Sequence, residues 1–318
     1  MTDRLSALFG ITYPLVQAGM IWCSGWELAS AASNAGALGV IGSGSMYPDV
    51  LRDHVRKCRA ATDKPFAVNV PMIYPDIDKH MATIEEEGVP IVFTSAGNPA
   101  QWTKRLKDKG ITVVHVVSSV KFARKAEDAG VDAVVAEGFE AGGHNGREET
   151  TTIVLVPMVR DAVKVPVIAA GGICDGRSML AAMCLGADGV QMGSRFVCSV
   201  ESSGHTAFKE RVVAAGEGET ILTLKELTPV RLLRNGFYAQ VQKAYTEKAD
   251  VDRLKELLGR ARAKRGMFEG DLEEGELEIG QVSGRLQDIR PAGEIVASVM
   301  KEYNEALATL CREPIHRA

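Results

Sequence analysis

Two glycine-rich steps, Gly171-Gly172 and Gly193-Ser194, each follow an apolar run. Without side chains there, main-chain N–H groups can close on phosphate oxygens, and Ser194 adds a hydroxyl. A helix opening just beyond each step would add a favourable dipole. Either pair alone reads better as a tight turn, but two pairs at consecutive strand ends point to a phosphate site. The segment Glu137-Gly138-Phe139-Glu140-Ala141-Gly142-Gly143-His144-Asn145-Gly146 places four glycines around one imidazole. Such a loop can bring His144 close to a ligand without crowding, which makes it the candidate acid or base. Glu137 either accepts hydrogen bonds from a ligand or caps its own loop, and Glu140 is the weaker candidate of the two.

Further small-residue and polar positions extend this pattern. Gln17-Ala18-Gly19-Met20 would let a flat ring lie against the main chain, or would only turn above a core methionine. Asn69 is an amide in an otherwise apolar run, so it needs partners: a ligand ring edge or a backbone carbonyl. His54, His80, His115, His205 and His316 have weaker placements, with His115 read as a satisfied core residue. The six cysteines are scattered, without metal spacing, and read as reduced thiols.

Eight short apolar runs would position these residues: PLVQA from 14, LGVIGS from 38, FAVNVP from 66, PIVFTSA from 90, TVVHVVS from 112, AVVAEG from 133, PVIAAGG from 166 and GVQMGS from 189. They are continuously apolar, as parallel strands buried on both faces must be. Segments with helical spacing separate them, such as WELASAASNAGA (26–37) and GRSMLAAMCLGA (176–187). Eight βα units predict an α/β fold, a (β/α)8 TIM barrel over 1–200, with the candidate residues at the C-terminal strand ends. Beyond Arg195 the rhythm stops. Residues 201–290 predict a smaller, mainly helical appended domain, with EGDLEEGELE (269–278) as an exposed acidic loop. An amphipathic helix over 291–312 is expected to pack back on the barrel.

The chain has 318 residues, a net charge of −4 and 25% charged residues. This offers no basic face for nucleic acid or anionic lipid. With no long apolar run and no signal-like start, a cytoplasmic protein without membrane segments is expected.

The stretches YPLVQAGM (13–20), DKPFAVNVP (63–71), AEGFEAGGHNG (136–146), VPVIAAGGICDG (165–176) and GADGVQMGSRFVCSVES (186–202) resemble the nitronate monooxygenase-like FMN barrels, and within them the enoyl-acyl carrier protein reductase II branch. The segment IGQVSGRLQDIRPAGEIVASV (279–299) is similar to that branch, and the resemblance implies that the small domain 201–290 lies on the substrate and nicotinamide side. Ser194 stands where the family often has Thr, and QAGM where QGGM is frequent. The resemblance implies that Ala18, Gly19, Met20 and Asn69 contact the flavin ring. It places Glu137 and His144 near flavin and substrate, and gives Gly171, Gly172, Gln191, Met192, Gly193 and Ser194 the ribityl phosphate.

The resemblance further implies FMN, NADPH or NADH as reductant, an enoyl-acyl carrier protein or enoyl-CoA substrate, and a homodimer. Hydride would reach the β-carbon of the enoyl thioester, with His144 as the acid. A nitronate monooxygenase and a quinone reductase of the same family are the alternatives, followed by a non-catalytic flavin or phosphate binder.

Overall fold

The computed structural model describes residues 4–312. All eight expected strands form: β1 (Leu15–Gln17), β2 (Gly39–Gly42), β3 (Phe66–Pro71), β4 (Ile91–Ser95), β5 (Thr112–Val117), β6 (Ala133–Glu137), β7 (Val167–Ala170) and β8 (Gly189–Met192). Each pairs in parallel with its sequence neighbour, for instance Val68 opposite Val92, and β1 pairs with β8 through Leu15 opposite Val190. A parallel bridge from Val16 to Leu38 joins β1 to β2 and closes the ring into a (β/α)8 barrel.

Alternation along each strand sorts the side chains. Val16, Val40, Ala67, Phe93, Val135 and Ile168 fill the interior, and the helix Arg4–Phe9 adds Leu5 and Phe9 to that cluster. The other face of the strands, with Val68, Val92, Val134 and Val190, packs against the surrounding helices. The two layers explain why the strands are apolar at nearly every position.

The helix Ala292–Arg312 lies on the helix Gly176–Cys184, so closely that a Cβ on Gly176 would sit 2.1 Å from the Tyr303 nitrogen. Its Ala292, Ile295, Val296 and Val299 join the outer core.

Between barrel and C-terminal helix, helices Thr206–Val213, Gly236–Thr246 and Val251–Leu258 accompany an antiparallel hairpin, Thr220–Thr223 with Val230–Leu233. The hairpin's second strand pairs Val230 with His144 and Arg231 with Gly143. The appended unit is therefore helical plus a small sheet, and the loop after β6 supplies that sheet's third strand. The Lys-, Arg- and Glu-rich composition of 201–290 gave no sign of this hairpin.

The acidic stretch 269–278 is not the solvated loop expected from its composition. Asp271 does pair with Arg265 near the surface, but Glu276 is only 6% exposed. The strap runs beside the hairpin, with the Leu233 amide donating to the Leu277 carbonyl at 2.9 Å, and this contact turns its later carboxyls inward.

Candidate active site

The C-terminal ends of the strands open into a cavity of about 500 Å³. Of the predicted residues it brings together Ala18, Gly19, Met20, Asn69, Glu137, His144, Gly171, Gly172, Gln191, Gly193 and Ser194. Met192 is not among them. It follows Gln191 on β8, so its side chain takes the opposite face and is fully buried in the helix layer.

The floor beside β1 is braced from within. Gln17 accepts from the Val40 amide at 3.0 Å and donates to Ser24 Oγ at 3.0 Å, while Ser24 Oγ donates to the Ala18 carbonyl and accepts from the Met20 amide. These bonds hold the turn 18–20 as a rigid main-chain surface. A Cβ on Gly19 would come within 2.5 Å of Asn69 Cβ, so the turn and β3 touch directly. Asn69 accepts from Ser95 Oγ at 3.2 Å, a partner other than the backbone carbonyl weighed above.

At the β7 and β8 ends the glycines are explained in two ways. Gly171 (φ +87°) and Gly172 (φ +71°) adopt left-handed conformations that side chains rarely take. Gly193 does not: its φ is −100°, and a Cβ there would meet nothing nearer than Met20 Sδ at 3.4 Å. Protein packing leaves room for a side chain that is absent, which is what a ligand cradle requires. Gln191 Nε2 and Oε1 find no hydrogen-bond partner among the described residues and open onto this cradle. Ser194 Oγ accepts from the Gly280 amide at 2.9 Å and keeps its proton free to donate.

The expected helix dipoles are only partly available. The helix after β7 begins at Gly176 and is already capped by Asp175, which accepts from the Ser178 amide at 2.8 Å. The helix after β8, Ser194–Val197, is a single turn. A phosphate held here would depend on loop amides and the Ser194 hydroxyl rather than on a helix N-terminus.

The loop carrying His144 is held at several points. Arg231 lies 5.1 Å over the Phe139 ring and donates to the Phe139 carbonyl at 3.0 and 2.9 Å. Asn145 Nδ2 donates to the Ala141 and Gly143 carbonyls, each at 3.0 Å. Glu140 caps the helix Thr152–Ala162 through the Thr152 amide at 3.0 Å and hydroxyl at 2.9 Å, a structural role consistent with its weaker candidacy. The result is an exposed imidazole on a fastened loop above the cavity.

Glu137, at the end of β6, has no hydrogen-bond partner among the described residues, and burial pushes its carboxyl up to about 7. Sequence reasoning missed two further groups. His115 lines the cavity, and although Thr94 Oγ1 lies 2.7 Å from its Nδ1, burial drives its pKa down to about 4, so the ring is neutral. Glu278, from the acidic strap, also lines the cavity, with one oxygen enclosed and unpartnered. His115 was visible as a polar residue within a strand, whereas nothing local distinguished Glu278 from its acidic neighbours.

A closed barrel with a cavity at the C-terminal strand ends, lined there by Gly171, Gly172 and Gly193, has the architecture of a (β/α)8 enzyme, and its relatives make it a flavin-dependent oxidoreductase. The family model described as nitronate monooxygenase matches residues 2–87 and 74–302, and the chain belongs to that family. It is 43% identical to FabK from Thermotoga maritima over 98% of this chain and 99% of that one, with a TM-score of 0.93. It is 34% identical to (3aS,4S,5R,7aS)-5-hydroxy-7a-methyl-1-oxo-octahydro-1H-indene-4-carboxyl-CoA dehydrogenase of Mycobacterium tuberculosis, over 96% of this chain and 97% of that protein. A Staphylococcus saprophyticus protein described as probable nitronate monooxygenase is 32% identical over 96% and 99%.

Proposed function

We propose that the chain is an FMN-dependent, NAD(P)H-driven reductase of trans-2-enoyl thioesters carried on acyl carrier protein or coenzyme A. The observation that carries this reading is the likeness to FabK, at 43% identity over essentially the whole chain against 34% and 32% for relatives described otherwise.

The residues present fit FMN: the open cradle at Gly193, the unpaired Gln191 amide and the Ser194 hydroxyl suit its phosphate and ribityl chain. When bound, FMN would carry hydride from the nicotinamide to the β-carbon of the thioester. The turn 18–20 would support the ring, and Asn69 would meet its edge. His144 supplies the proton that quenches charge developing on the thioester oxygen and α-carbon. A protonated Glu137 lowers the electrostatic cost of placing electron-rich groups on the cavity floor.

The test is a visible spectrum of the purified protein, followed by anaerobic mixing with NADPH and an assay on crotonyl thioester. Bleaching by NADPH with crotonyl turnover is the expected outcome. A colourless protein that fails to take up added FMN removes the flavin reading. A flavoprotein that ignores NADPH but turns over a nitronate with O2 favours the second reading, which rests on relatives described as nitronate monooxygenases.

A further inference from the structure

The helix Val120–Asp128 follows β5 and begins at the cavity mouth, where Ser119 caps it by accepting from the Phe122 amide at 3.4 Å. Its Phe122 and Lys125 line the cavity, and Lys125 is the one lysine or arginine among the described residues that does so. Lys121, Arg124 and Lys125 stand at i, i+3 and i+4, so they share one helix face within about 6 Å of axial rise. All three are exposed, and none makes an ion pair or a hydrogen bond among the described residues. The cations of the preceding helix, Thr103–Asp108, are all paired: Lys104 meets Asp108 at 2.6 Å, Arg105 meets Glu85 at 2.6 Å and Lys107 meets Asp132 at 2.7 Å.

The carboxylates nearest in sequence do not neutralise the stripe. Glu127 accepts from the Lys164 and Val165 amides at 2.6 and 3.1 Å, and Asp128, at the far end of the same face, is exposed without an ion pair. Glu148 accepts from Ser118 Oγ at 3.1 Å. Three like charges on one face repel, and Lys121 in the first turn opposes the helix dipole. The stripe therefore costs the helix stability, and its benefit lies outside the helix.

Apolar surface adjoins it. Phe122 is 43% exposed, and the next helix around the barrel, Thr152–Ala162, packs against this one and exposes Ile153, Val154 and Met158. Apolar side chains beside unpaired cations suit a protein partner, because the first supply burial and the second supply steering and orientation. A two-fold dimer centred here would set the stripe against its own copy, and like charges would repel. An acidic partner meets no such cost.

We propose that this face, Lys121, Arg124 and Lys125 with Phe122, Ile153 and Val154, docks the acidic protein that carries the acyl thioester, and so favours acyl carrier protein over coenzyme A. The inference rests on the enoyl-thioester reading and deepens it. A carrier seated beside the mouth can pass its acyl arm over Phe122 and Lys125 into the cavity. Coenzyme A offers phosphates to the cations but no surface broad enough to cover the neighbouring helix.

The test compares crotonyl-acyl carrier protein with crotonyl-coenzyme A on the flavin-loaded enzyme. Lys121 and Arg124 do not line the cavity. In the double variant Lys121→Glu/Arg124→Glu, the ratio of kcat/KM for the carrier substrate to that for the coenzyme A substrate should fall about 10-fold or more, through KM rather than kcat. Ile153→Asp should lower the same ratio. An equal loss with both substrates means that the stripe holds phosphate and overturns the protein dock, as does a ratio that neither variant moves. Wild-type protein that bleaches with NADPH but reduces neither substrate overturns the functional reading. Calorimetric titration with holo-acyl carrier protein then decides the dock, which is upheld by binding that the double variant weakens about 10-fold and overturned by binding that is absent or equal in both proteins.

Discussion

Ser194 Oγ and the Gly280 amide, 86 residues apart in sequence, meet at 2.9 Å and tie the end of the last barrel strand to the strap over the cavity. One hydroxyl thereby anchors the strap and remains able to donate to a phosphate. Ser194→Ala should remove both contacts. A neutral hydrogen bond contributes about 1 kcal/mol and one to a charged group about 1.5–3 kcal/mol, so FMN affinity should fall by roughly 10- to 100-fold. Flavin retention through gel filtration, measured beside thermal unfolding, checks it.

Gly193→Ala separates a ligand requirement from a folding requirement. The added methyl would meet Met20 Sδ at 3.4 Å and Ala18 Cβ at 3.8 Å, which are ordinary contacts, so the flavin-free protein should melt within about a degree or two of wild type. Flavin content should drop sharply because the methyl projects into the cradle. Equal flavin occupancy in wild type and variant would show that the space serves another purpose.

Removing the imidazole tests its chemical role. His144→Ala should keep the flavin spectrum, since the loop is held by Arg231 and Asn145 rather than by the ring. Crotonyl-thioester turnover should fall by about 100-fold or more. Unchanged turnover with full FMN would take His144 out of the mechanism.

Glu137 makes stability depend on pH. Its carboxyl sits at about 7 in the folded chain against an ordinary value of 4.5, so between those limits the folded state binds more protons than the unfolded state. Stability contributed by this site is therefore greatest below about 4.5 and falls as pH rises towards about 7. Glu137→Gln should flatten that part of the flavin-free stability profile and raise the melting temperature at pH 8 relative to wild type. A steeper profile in the variant would contradict the assignment.

Lys209 acts as an internal cation for three main-chain carbonyls, Ser199 at 2.8 Å, Val200 at 3.3 Å and Ser202 at 2.6 Å. These carbonyls lie where the chain leaves the barrel for the appended unit. Lys209→Met would leave them without that donor and should cost about 2–4 kcal/mol in denaturant unfolding, at similar buried volume. A loss below about 0.5 kcal/mol would mean that water replaces the ammonium freely.

The barrel and its glycine cradle were readable from residue order because their causes are local. A strand covered on both faces must be apolar throughout, and glycine at consecutive strand ends leaves a mark in any sequence. The inward aim of Asn69 and Glu137 and the outward aim of Met192 follow from alternation, a rule the sequence contained and the assignment of Met192 to the phosphate overlooked. The strap was different. Asp271 and Glu278 share an acidic stretch, yet one pairs with Arg265 near the surface and the other reaches the cavity beneath Gly143. Whether a carboxylate stays in water depends on what covers it, and here the covering comes from a loop more than a hundred residues away. Only the folded chain decides that contact, because solvation is a property of the assembled surface and not of neighbouring residue types.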